Sequence, residues 1–135
     1  MSSGLAIEDS CVSAFKELKA RKINVLLYRL NDDFTAIIPD YKGKVSSYDD
    51  FVEMLPENEP RYAFHDYEFT TGDGRKTAKI VMFSWLPETT PIKQKMVFAS
   101  SKTVLKSSLD GISAEIQATD YSDLDAEEVA SRIAR

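Results

Sequence analysis

The sequence predicts an α/β (α+β) domain, a mixed β-sheet flanked by helices. Three observations carry that prediction. Two β-hairpin patterns, each a pair of β-forming runs around turn residues, stand on either side of a short helical segment. Helical periodicity marks both ends of the chain and one long stretch near residue 100. Strand and helix signals interleave along the chain, the pattern of a sheet covered by helices. At 135 residues the chain makes one domain, 1–135, able to bury about two-thirds of its unfolded surface.

Taken in order, 8–20 places Val12, Phe15 and Leu18 at helical spacing, with Asp9 and Ser10 available as caps. Residues 24–30 (NVLLYRL) and 34–39 read as strands around the turn Asn31-Asp32-Asp33. A short helix runs 48–55, opened by Ser47 with Asp50 three residues on and stopped by Pro56. Residues 62–70 alternate like a strand, 71–74 (TGDG) turn, and 79–85 (KIVMFSW) form a buried strand. Pro87 and Pro91 bracket a loop before a long helix ending at Leu109, with Asp110-Gly111 as its stop. Residues 112–118 form a short strand. A last helix covers 123–135, acidic at its start and basic at its end, as the helix dipole favours.

Composition narrows the function. Hydrophobic content of 43% with 10% aromatics is that of a folded protein. A net charge of −5 argues against a body that binds nucleic acid or an anionic membrane, since both demand excess Lys and Arg. The N-terminus has no basic segment followed by an apolar run, so no secretory signal is expected. No apolar run approaches the roughly 20 residues of a transmembrane helix. One cysteine, Cys11, cannot form an internal disulfide and falls inside a helical pattern, where a buried thiol is expected. These features fit a reduced, cytoplasmic compartment.

Little in the chain suggests catalysis. The sole histidine, His65, lies in a strand beside Asp66, and neighbours on a strand face opposite ways, so the two make no dyad. No Cys/His cluster has metal-ligand spacing, and Gly72 and Gly74 belong to a hairpin turn rather than a phosphate cradle. The expectation is a protein that is not an enzyme and needs no cofactor or metal.

One stretch stands out. From Thr89 to Leu109 there is no Asp or Glu, in a chain that carries 22 of them, and Lys93, Lys95, Lys102 and Lys106 fall there. On a helix, positions 102 and 106 lie within about 20° of position 95, a single basic stripe beside the apolar Val97, Phe98, Val104, Leu105 and Leu109. The plain interpretation is a solvated helix face. The sharper one is a helix that meets an acidic partner.

The segment 85–102 (WLPETTPIKQKMVFASSK) closely resembles the signature of the actin-depolymerising factor/cofilin family. So do 48–51 (YDDF) with 55–58 (LPEN), Tyr62-Ala63 with 66–69 (DYEF), and 116–120 (IQATD), in the family's order and nearly end to end. The resemblance implies the ADF-homology fold, a central mixed sheet with helices on both faces. It implies a cytoplasmic, monomeric protein of the actin cytoskeleton that binds monomeric and filamentous actin, prefers ADP-actin, and severs or depolymerises filaments. The family's main actin surface maps onto Ser3, Gly4, Lys93, Lys95, Met96, Lys102 and Lys106. Its filament-specific surface maps onto Lys76, Lys79, Arg132 and Arg135. Ser3 stands where phosphorylation inactivates many relatives; a phosphate there would add about 1.5 to 2 negative charges beside an acidic partner.

Some positions depart from the family. Ser107 and Thr103 replace charged residues on the long helix, and Thr77 and Ser131 thin the filament-specific surface. No basic insertion of the vertebrate type occurs, so nuclear import is not indicated. Two rival readings remain: a sequestering or filament-decorating module with weak severing, and a phosphoinositide-binding module acting at membranes.

Overall fold

The structure is a computed structural model and describes residues 5–133. Six strands form one mixed sheet: β1 (Ala6–Ile7), β2 (Val25–Leu30), β3 (Ala36–Gly43), β4 (Arg61–Thr70), β5 (Lys76–Trp85) and β6 (Ala114–Ala118). The order across the sheet is β1-β3-β2-β4-β5-β6. The two edge pairs, β1 with β3 and β5 with β6, are parallel, while the three central pairs are antiparallel.

Helices cover both faces. On one, α1 (Asp9–Lys19) and α3 (Ile92–Ser108) bury Phe15, Leu18, Phe98 and Leu105 against Tyr28, Tyr62, Phe64 and Met82. On the other, α2 (Tyr48–Glu53) and α4 (Ala126–Ile133) bury Phe51, Val129 and Ile133 against Leu27, Ala63, Phe83 and Trp85. Strand alternation sorts these residues: Tyr62 and Phe64 face one layer, Ala63 and Tyr67 the other. The expected sheet with helices on both faces is what the chain forms.

Several boundaries differ from expectation for physical reasons. β3 starts at Ala36 because Phe34 takes a left-handed φ of 60°, closing the turn in which the Asn31 side chain accepts from Thr35 and Ala36 amides. The strand then runs through Pro39, because β1 pairs only with Ala36 and Ile37, leaving Pro39 on an open edge beside a bulge. The last helix splits into a 3-10 turn, Tyr121–Leu124, and α4, which restarts after extended Asp125. Asp9 and Ser10 do not cap α1; Glu8 stands at the N-cap without a side-chain bond. Ser47 does cap α2, its Oγ accepting from the Asp50 amide at 3.2 Å.

Candidate binding face on the long helix

Helix α3 is seated by its inner face. The Phe98 ring stacks on Tyr62 of β4 with centroids 3.9 Å apart. The Tyr62 hydroxyl donates to the Phe98 carbonyl and lies 2.9 Å from Ser101 Oγ. Burial pushes the Tyr62 hydroxyl above its ordinary value, so it stays a neutral donor. Stacked ring, buried serine and Leu105 together fix the rotation of α3 about its axis.

That rotation decides what faces solvent. Ile92 is 75% and Met96 68% exposed, an apolar pair one turn apart. Exposed Ala99 and Thr103 continue the strip. By the helical angle, Lys95, Lys102 and Lys106 flank it on one side and Lys93 on the other. The face is therefore an adaptable apolar ridge between lysines. Burying exposed Ile and Met would drive docking, while charges at the rim would steer it. Strand β1 lies beside α3, which brings the start of the described chain to the same region. Ser3 and Gly4 lie outside the described residues.

The stripe is not uniformly basic. Glu115 of β6 reaches across to it: Lys106 Nζ donates to Oε1 at 3.2 Å, and Lys102 Nζ lies 2.8 Å from Oε2. The Lys102 contact is a charge contact too oblique for a good hydrogen bond, which leaves buried Oε2 without an aligned donor. Burial works against the Glu115 charge, and the two lysines outweigh it, holding the carboxyl below its ordinary value. Lys93 Nζ sits 5.9 Å from the centre of the Phe34 ring. Lys93 and Lys95 make no ion pair among the described residues.

The second set of expected residues is not gathered into one patch. Lys76 and Lys79 are three apart on an unbroken stretch of β5 and so point to opposite faces. Lys76 is exposed. Lys79 Nζ donates to the Ile133 carbonyl at 2.9 Å and lies 5.5 Å from the Phe69 ring centre, tying β5 to the C-terminal end of α4. Arg132 pairs with Glu128 one turn earlier at 3.6 Å. Arg135 lies outside the described residues.

Cys11 is buried, as its helical context suggested, and the fold buries His65 as well. Burial, with the Glu8 charge, pushes the Cys11 thiol up to about 12. His65 stacks on Phe51 at 4.9 Å, and its Nδ1 lies 2.9 Å from the Asn24 carbonyl. Asp66 turns the other way, to Arg21 at 3.2 Å.

Sequence reasoning missed three members of the α3 surroundings: Ile92, Phe34 and Glu115. Ile92 could have been found, since it lies one turn before Met96. Glu115 and Phe34 come from other elements, and only the fold brings them to α3.

A family model described as cofilin/tropomyosin-type actin-binding protein matches residues 4–134. Mycosarcoma maydis cofilin is 46% identical over all of this chain and 98% of its own. Cofilin of Saccharomyces cerevisiae is 42% identical over 98% of this chain and 94% of its own. The crystal structure of Streptomyces griseoflavus cofilin superposes with a TM-score of 0.90 at 37% identity, covering 98% of both chains. That of Plasmodium berghei actin depolymerization factor 2 superposes at 0.87 with 26% identity over the whole of both chains. With the covered six-stranded sheet and the ridge on α3 in place, these likenesses assign the chain to the actin-depolymerising factor/cofilin family of actin-binding proteins.

Proposed function

We propose that this single-domain protein binds monomeric and filamentous actin through the exposed face of α3, prefers ADP-actin, and disassembles filaments by severing and depolymerisation. The carrying observation is the exposed Ile92–Met96 ridge flanked by Lys93 and Lys95 on a helix whose rotation is fixed by Tyr62 and Phe98. An exposed apolar pair on a rigid helix is a preorganised anchor for a hydrophobic groove. The lysines would set orientation and encounter rate with an acidic rim. In this reading Ser3 and Gly4 complete the monomer-binding surface, and Lys102 and Lys106 lie at its margin. Lys76, Lys79, Arg132 and Arg135 contribute on filaments, and Lys79 also holds the end of α4 through the Ile133 carbonyl. The protein acts by binding as a cytoplasmic monomer, with phosphoinositides and phosphorylation of Ser3 as its regulators.

Disassembly follows from differential binding. A ligand that binds the twisted or ADP-like filament state more tightly shifts the population toward that state by the difference in affinity. The test is a titration of labelled ADP-actin monomers. Met96→Ala or Lys93→Ala with Lys95→Ala should weaken binding about tenfold while the fold is kept, the scale of a buried interface anchor. Unchanged affinity in both variants would remove α3 as the binding face.

A further inference from the structure

We propose that Glu115 is a built-in charge brake on the α3 lysine stripe. It occupies Lys102 and Lys106 and lowers the stripe's attraction for acidic protein surfaces that offer no apolar groove. The proposal rests on the reading above only in taking actin as the acidic partner.

Register places the carboxylate. On β6, Ala114, Ile116 and Ala118 face the α4 layer, so Glu115 faces the α3 layer. It pairs in register with Met82, whose side chain lies in the core beneath α1 and α3. From there it reaches two lysines one turn apart, Lys106 through Oε1 and Lys102 through Oε2. Lys106 is the outer member of the trio, its side chain 43% exposed. The Glu115 and Lys102 side chains are only 24% and 23% exposed, which limits screening by solvent. The charge contact with Lys102 is oblique, so Oε2 is held by charge rather than by an aligned hydrogen bond.

The consequence is a graded stripe. Lys93 and Lys95, nearest the Ile92–Met96 ridge, have no carboxylate partner among the described residues, whereas the far pair shares one negative charge. A partner carboxylate approaching Lys102 or Lys106 must compete with one already in place, and the Glu115 charge repels it. Charge far from the ridge gives attraction without orientation, and damping it favours partners that also fill the apolar ridge.

The test compares Glu115→Gln with the wild type in stopped-flow association with labelled ADP-actin monomers over a range of salt. A second arm uses poly-L-glutamate, a carboxylate surface with no groove. The glutamine keeps the shape and removes the charge. The brake predicts association about threefold faster at low salt, a steeper salt dependence, and tighter poly-L-glutamate binding. Those gains should vanish when Lys102→Gln and Lys106→Gln are added, which a purely structural role for Glu115 would not produce. Equal or slower association with both probes would overturn the proposal. Should wild type ignore actin while the gain on poly-L-glutamate persists, the actin reading fails and the brake stands. If Glu115→Gln does not fold, the lysines decide. Lys93→Gln with Lys95→Gln should slow association more than Lys102→Gln with Lys106→Gln, and equal slowing would overturn the brake.

Discussion

His65 shows how much one side chain can carry. It stacks on Phe51 on the α2 side of the sheet, and burial lowers its proton affinity below the ordinary 6.5 despite the Asn24 carbonyl and nearby Asp66 and Glu68. The unfolded chain therefore takes up a proton at a pH where the folded one does not. Stability is full above about 6.5 and is lost as pH falls from there toward the folded value. Urea unfolding followed by Trp85 fluorescence should give a lower midpoint at pH 5 than at pH 7.5. His65→Gln should flatten that difference, and a variant with the same pH dependence as wild type would assign the loss to carboxylates instead. Alternation alone set His65 back to back with Asp66, while its buried stack on Phe51 came only from the fold. The same limit applies to Glu115. The alternation of 114–118 puts it opposite the apolar residues, but only strand order reveals that α3 covers that side.

At the scale of elements, helices and hairpins followed from periodicity and turn residues because those signals are local. β1 escaped notice since two residues cannot show alternation; it is held by pairing with Ala36 and Ile37. The split before α4 was hidden because Asp125 reads equally as a helical first-turn acid or as a residue that restarts the helix; its carboxylate accepts from the Glu128 amide at 3.2 Å. The same scale separates Lys76 from Lys79, which the sequence places together. Lys79→Ala should cost about 1 kcal/mol in thermal unfolding, with faster amide exchange at the end of α4, because it removes the donor to Ile133. Lys76→Ala should melt like wild type yet reduce co-pelleting with filaments. If both variants melt alike, the link from β5 to α4 contributes nothing measurable.

For the whole molecule, the sheet order β1-β3-β2-β4-β5-β6 lay beyond periodicity, because pairing between distant strands leaves no local signature. That order puts α1 and α3 on one face and sets β1 beside α3, so one side of the molecule combines the start of the described chain, the apolar ridge and the graded lysines. Lys79 and Arg132 sit instead at the β5–α4 junction, and Lys76 points to the opposite face of β5. Two separated surfaces on one rigid sheet would let one molecule touch two subunits of a filament, and tighter binding to a twisted state would then load the contacts between them. High-speed sedimentation of ADP-actin filaments across a range of protein concentrations tests this most directly. Actin should move from pellet to supernatant, Lys93→Ala with Lys95→Ala should displace that shift to about tenfold higher protein concentration, and some protein should co-pellet with the remaining filaments. Actin that stays in the pellet while the protein stays in the supernatant would contradict it.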